Sequence, residues 1–153
     1  MRGHLGLFRQ LWSSLERVAE EACWAESRIA IEWPKSCRYW TRKEVQAVLR
    51  QGEYGLQSVT FHGCQFGLVS ISKRFKGLPI LKPWRVVTNC GPLLVTLNRT
   101  CYHHQRNGTH DGLVRHVPCA GVDTQATEGY TDEMVAAIHE GHRRYVSALS
   151  GEE

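Results

Sequence analysis

Three short apolar segments constrain the fold of this chain most, because each is too short for an ordinary helix and ends at residues that interrupt regular structure. They span residues 28–33, 56–62 and 83–88. The first contains β-branched residues and runs into Pro34, and the second runs into Gly63. Runs of this length and composition are typical of buried strands. We therefore predict three strands that lie side by side in one sheet.

Amphipathic segments flank the predicted strands. Helical periodicity predicts a helix over residues 9–27. Its apolar stripe comprises Leu11, Leu15, Val18, Ala19 and Ala22. Thr41 has capping-box spacing to a glutamate three residues later, which predicts a second helix over 41–51. Thr131 precedes two acidic residues and an apolar stripe, which predicts a last helix over 132–148.

This order of helices and strands predicts an α/β protein. A chain of 153 residues, 42% of them hydrophobic, is long enough to bury a core. Three strands are fewer than the about five or six that a sheet usually holds. We therefore expect a small, incomplete Rossmann-like sheet with flanking helices and a long His/Cys-rich loop over 99–128. The expected organisation is an N-terminal amphipathic helix at 1–27, a partial α/β domain at 28–149 and a tail at 150–153.

The charge of the chain is unevenly distributed. Its formal net charge is only +4, but no acidic residue lies between Tyr54 and His110. The cations of that stretch are Lys73, Arg74, Lys76, Lys82, Arg85, Arg99 and Arg106. A stretch whose charged side chains are all positive attracts phosphate-bearing partners. We expect DNA or RNA as the partner, with Lys73, Arg74, Lys76, Arg85 and Arg106 as contacts. The alternative is a solvated basic face without a ligand.

Six potential metal ligands lie close together within the predicted loop. They are Cys101, His103, His104, His110, His116 and Cys119. Zinc in structural sites takes four ligands of these types. We therefore expect a zinc site formed by the two cysteines and two of the histidines. The alternative is a histidine-rich polar loop that binds no metal.

The chain shows no sign of membrane insertion or export. It contains no run of about 18 apolar residues, and its first ten residues lack the apolar segment of a secretory signal. We expect no membrane partner and an intracellular location, in the nucleus or the cytoplasm. Cysteines in such compartments stay reduced, so no disulfide framework is expected.

Five sequence blocks carry a resemblance to a known module. They are IEWPKSCRYW (31–40), FHGCQFGL (61–68), KPWRVVTN (82–89), CYHH from Cys101, and HVPCAG (116–121). In this order they resemble an uncharacterised module of mobile-element polyproteins. That module is in turn similar to the second half of a cytosine-5 DNA methyltransferase catalytic domain. The resemblance implies that Glu32 contacts a target base and that Gln65 and Arg85 lie near it.

The residue pattern leaves the function open between two classes. A Gly-rich cofactor turn does not precede Glu32. A methyltransferase-like half-domain would therefore need an upstream segment of a larger polyprotein to bind S-adenosylmethionine, and catalysis by this chain alone is not expected. The other class is a non-catalytic, zinc-binding module of a mobile-element protein that binds nucleic acid. A decayed fragment without activity is a third hypothesis. Glu32 also has a purely structural alternative, an ion pair with a nearby arginine.

Overall fold

The structure is a computed structural model that describes residues 2–101, 109–110 and 114–151. The helices are α1 (Arg2–Trp24), α2 (Lys43–Arg50), α3 (Gly91–Leu97), α4 (Val122–Ala126) and α5 (Asp132–Ser150). The strands are β1 (Ala30–Pro34), β2 (Gln57–His62), β3 (Pro83–Thr88), β4 (Thr109–His110) and β5 (Val114–Arg115). Short 3-10 turns lie at Arg38–Thr41, Gly52–Tyr54 and Gly63–Phe66.

The three predicted strands form one sheet, which confirms the expected α/β class with a small, incomplete sheet and flanking helices. The strand order is β1-β3-β2, and both pairings are antiparallel. A complete Rossmann sheet is mostly parallel, so the strand directions differ from that family. The reason lies in the connection between β2 and β3, which contains no α-helix. Parallel neighbours need a crossover, usually an α-helix, and because this connection has none, β2 and β3 pair antiparallel.

Helices cover both faces of the sheet. One face carries Val59, Phe61, Trp84 and Val86, and α3 and α5 pack against it. The opposite face carries Ile31 and Val87, and α1 and α2 pack against it. The cross-strand register pairs Glu32 with Val86 and Trp33 with Arg85. Because side chains alternate along a strand, Glu32 belongs to the α3–α5 face and Arg85 to the α1–α2 face.

Helix α1 begins earlier than predicted, and only part of the predicted stripe is buried. Its buried residues are Phe8, Trp12 and Ala19, whereas the expected stripe members Leu11 and Val18 are 62% and 67% exposed. The stripe prediction is confirmed at Ala19 and wrong at Leu11 and Val18. Aromatic packing explains the difference, since the Phe8 ring stacks on that of Tyr39 at 4.2 Å between centroids. Burial of the larger aromatic side chains decides which face turns inward.

The two predicted helix caps have different outcomes. Thr131 does cap α5, since its hydroxyl oxygen accepts from the Met134 N–H at 3.2 Å. Thr41 does not cap α2, whose N-cap is Arg42. The Thr41 hydroxyl donates to the Arg38 carbonyl at 2.9 Å, because Thr41 ends the preceding 3-10 turn. The predicted loop at 99–128 also contains a helix, α4.

Candidate metal centre

Two cysteines and a histidine converge beside the end of β2. Cys64 lies in the 3-10 turn that follows β2, Cys101 lies beyond α3, and His116 follows β5. One ligand atom from each residue lies within 4.8 Å of the other two. The Cys101 Sγ and the His116 Nε2 are 3.6 Å apart. We call these three residues the Cys–His cluster.

A glycine allows the turn that holds Cys64 to pack closely against the core. A Cβ atom at Gly63 would lie 2.6 Å from Leu68 Cδ2 and 2.7 Å from Trp84 Cζ3. Both atoms belong to side chains of the buried core, so a larger residue would displace the turn. Gly63 therefore determines how closely Cys64 lies to the sheet.

Two hydrogen bonds hold the Cys101 segment against the end of β2. The His62 N–H donates to the Arg99 carbonyl at 3.0 Å. The Cys101 N–H donates to His62 Nδ1 at 2.8 Å. His62 is itself buried. These bonds place the Cys101 thiol next to Cys64 although the two residues lie far apart in the sequence.

The two thiols of the cluster are shielded from water, and His116 is partly buried. Cys64 and Cys101 are 7% and 1% exposed. Burial, together with the neighbouring Cys101 thiol, raises the pKa of the Cys64 thiol to about 12. A bound cation would reverse this effect, because a metal ion stabilises the thiolate. Metal binding would therefore release protons and become tighter as the pH rises.

The three donors suit a soft or borderline metal ion. Two thiolates and one imidazole are ligands that zinc prefers, and structural zinc takes a fourth ligand of the same kinds. Two of the predicted ligands, His103 and His104, lie outside the described residues. His110 lies in β4, where it pairs with Val114 in an antiparallel register. The described part of the chain thus supplies three ligands of a site that can hold a metal ion.

The cluster differs in one member from the predicted ligand set. Cys101 and His116 were both candidates, but Cys119 is not among the three residues of the cluster. The Cys119 Sγ lies 3.1 Å from the Thr127 Oγ1 and 3.8 Å from the Asp123 carbonyl oxygen. Cys64 was missed because it lies outside the His/Cys-rich stretch. Its position directly after a predicted strand, in a glycine-flanked turn, was the available signal.

Two of the three candidate base contacts, Glu32 and Arg85, lie on opposite faces of the sheet. The Glu32 Oε2 accepts from the Tyr130 hydroxyl at 2.8 Å, and burial raises the pKa of this carboxyl. Arg85 lies on the opposite face of the sheet, with its guanidinium 4.7 Å from the centroid of the Trp40 ring. Gln65 lies in the turn next to Cys64. In this arrangement Glu32 and Arg85 are separated by the sheet itself.

Three of the predicted nucleic-acid contacts lie together on one short segment. Lys73, Arg74 and Lys76 are exposed within residues 70–78, which we call the basic excursion. The Ser70 N–H donates to the Leu78 carbonyl at 2.8 Å, and the Gly77 N–H donates to the Ser70 carbonyl at 2.8 Å. Arg106 lies outside the described residues. The excursion is therefore a closed loop with three cations on its surface.

No protein-family model, curated protein or solved structure matches the chain. In the described part of the chain, no helix combines the length and apolar character needed to cross a membrane.

Proposed function

We propose that the chain is a non-catalytic nucleic-acid-binding module that zinc stabilises. The convergence of Cys64, Cys101 and His116 carries this proposal, because buried thiols and an imidazole gathered from three separate segments form a ligand set typical of structural zinc. The fourth ligand would come from His103, His104 or His110. Zinc would then tie Cys101 and His116, which both follow α3 in the chain, to the turn after β2.

The basic excursion supports nucleic acid as the partner. Its three cations are exposed, and no ion pair involving them is found among the described residues. Exposed, unneutralised cations in one loop fit the phosphate backbone and release its counterions on binding. The separation of Glu32 and Arg85 by the sheet gives less support to the methyltransferase-like alternative, which places them around one base.

Zinc binding is tested by elemental analysis of the purified protein and by titration with cobalt. Cobalt bound to two thiolates gives intense charge-transfer absorption, so the spectrum also reports the ligand type. We expect one metal ion per chain and loss of the thiolate absorption in Cys64→Ser. A metal-free protein that also fails to take up cobalt would refute the zinc part of the proposal.

Nucleic-acid binding is tested by fluorescence anisotropy with a labelled DNA duplex and a labelled RNA strand over a range of salt. Each phosphate contact contributes about −0.9 to the slope of log affinity against log salt on a duplex. Combined reversal of Lys73, Arg74 and Lys76 to Glu should therefore flatten that slope by about two to three. A matched control reverses Arg17, Arg38 and Lys43, three exposed cations on the side of α1 and α2. Equal losses of nucleic-acid affinity in both triple variants would show that binding depends only on net charge and not on the basic excursion.

A further inference from the structure

One segment of the chain touches both the Cys–His cluster and the basic excursion. Residues 116–123, which we call the clasp, begin at the cluster member His116. The next residue, Val117, donates its N–H to the Pro79 carbonyl at 3.0 Å and forms a parallel bridge with Ile80. Val117 is also buried in the core. The first end of the clasp thus joins the metal ligand directly to the C-terminal base of the excursion.

The other end of the clasp holds the N-terminal base of the excursion. Asp123 Oδ2 accepts from the Ser70 hydroxyl at 2.6 Å, and its Oδ1 accepts from the Ile71 N–H at 2.8 Å. Asp123 is 2% exposed. The bond from Ser70 lowers the pKa of this carboxyl, so Asp123 is ionised near neutral pH. A charged acceptor makes both hydrogen bonds stronger than neutral ones.

The excursion thus has both of its bases fixed by one short segment. Ordering a flexible loop costs conformational entropy, and a loop that is ordered in advance binds its ligand more tightly. Immobilising His116 by metal coordination would restrain the clasp, and the clasp in turn restrains residues 70–78. Metal occupancy and the presentation of Lys73, Arg74 and Lys76 are therefore connected through named hydrogen bonds.

We propose that metal bound at the Cys–His cluster raises nucleic-acid affinity by ordering the basic excursion through the clasp, with Asp123 as the positioning residue. This inference rests on the proposed function, because it needs both a metal and a polyanion. A coupling of this kind is typically 5- to 150-fold, and we expect about tenfold. By thermodynamic reciprocity, nucleic acid tightens metal binding by the same factor.

The test measures the affinity of the labelled DNA duplex for the full chain, once with stoichiometric zinc and once with a chelator. Wild type should bind the duplex about ten times more tightly with zinc. The duplex should raise the affinity for zinc by the same factor. Asp123→Asn should reduce the ratio of duplex affinities with and without zinc towards one, and it should keep the cobalt absorption. The control Asp132→Asn makes the same chemical change at an exposed position in α5 and should keep the wild-type ratio.

Hydrogen exchange shows whether the effect is local. Removal of zinc should speed exchange at the Ile71, Gly77 and Leu78 amides while those of Val86 and Val87 in β3 stay protected. Faster exchange at the amides of both the excursion and β3 would mean global unfolding and would overturn the clasp inference. Because this measurement uses the wild-type chain, it tests the inference even if Asp123→Asn fails to fold. Zinc and DNA that both bind without influencing each other would overturn the inference and leave the proposed function intact. Failure of either ligand to bind would overturn both.

Discussion

The two sides of the sheet are covered by different means. On the α1–α2 side, aromatic rings fill the space between helices and sheet. The Phe8 ring stacks on Tyr39, and the Trp33 and Trp40 rings meet edge to face at 4.7 Å between centroids. Contacts of this kind combine large buried area with favourable ring geometry. Ring packing therefore holds this side of the sheet together.

The α3–α5 side combines an apolar core with polar links. Phe66 and Met134 are fully buried there. Beside them, however, lie the cluster thiols and the carboxylate of Asp123. The chain between α3 and α5 contains little regular structure among its described residues, and its position depends on hydrogen bonds and on the cluster. Metal binding should therefore affect the stability of the α3–α5 side and not that of the α1–α2 side.

The largest expected effect is on the aromatic side. Trp40 is 4% exposed, and its indole N–H donates to the Pro34 carbonyl at 3.1 Å. Trp40→Ala should lower the free energy of unfolding by about 3–5 kcal/mol, because it leaves a large cavity. Urea denaturation should give the same loss with and without zinc. Trp24→Ala removes a tryptophan that is 87% exposed and should change stability little.

If the loss of unfolding free energy in Trp40→Ala depended on zinc, the two sides of the sheet would not be independent in stability. Such a result would show that the aromatic packing and the cluster form a single cooperative element.

The next effect concerns the cluster. Zinc in excess at about 100 times its dissociation constant should stabilise wild type by about 2.7 kcal/mol. Cys101→Ser should abolish that gain, since its thiol is a cluster member. Cys119→Ser should keep it, because the Cys119 thiol contacts Thr127 instead. Thermal denaturation with zinc and with chelator measures both responses. If Cys119→Ser lost the gain and Cys64→Ser kept it, Cys119 would be the ligand that the sequence suggested.

What the sequence predicts well depends on how local the signal is. The strand positions follow from short apolar runs, and the α5 start follows from Thr131 and the acidic residues after it. In each case the determining residues lie next to one another in the chain. The direction of the strands depends instead on how the irregular connection between β2 and β3 folds, which no local periodicity determines.

The candidate site is less predictable because it is assembled by tertiary contacts. Cys101 and His116 could be proposed from their proximity in sequence. Cys64 reaches them only because β2 and the segment after α3 are joined through His62. Phe8 was missed in the buried stripe of α1 for a similar reason, since it packs on Tyr39, which lies far from it in the sequence.

A smaller effect concerns the cap of α5. The Thr131 hydroxyl accepts from the Met134 N–H and donates to the Phe66 carbonyl, which joins α5 to the turn that holds Cys64. Thr131→Ala should cost about 1 kcal/mol of unfolding free energy. Thr131→Ser keeps the hydroxyl and should recover most of it. Chemical denaturation measures the loss of unfolding free energy. A cobalt titration shows whether the turn that holds Cys64 has moved. Unchanged stability in the alanine variant would mean that the cap contributes nothing to the α3–α5 side.

The smallest effect is a pH dependence at Glu32, the half-buried carboxyl on the α3–α5 face. Burial raises its pKa above the ordinary value of 4.5, against the lowering effects of the Tyr130 hydrogen bond and the Lys82 charge. The folded state therefore favours the protonated carboxyl. The stability from this group is complete below pH 4.5 and is lost as the pH rises through the raised pKa.

Glu32→Gln keeps the size of the side chain and an oxygen that can accept from Tyr130, but it carries no charge at any pH. The variant should match wild type in acid and become more stable than wild type towards neutral pH. The gain should stay below about 1 kcal/mol, because solvent screens a carboxyl that is only half-buried. Glu128→Gln, an exposed position, corrects for the general effect of removing one negative charge. Urea denaturation at several pH values measures the difference. A Glu32→Gln variant less stable than wild type at neutral pH would show that the attraction of Lys82 outweighs the burial of the carboxylate.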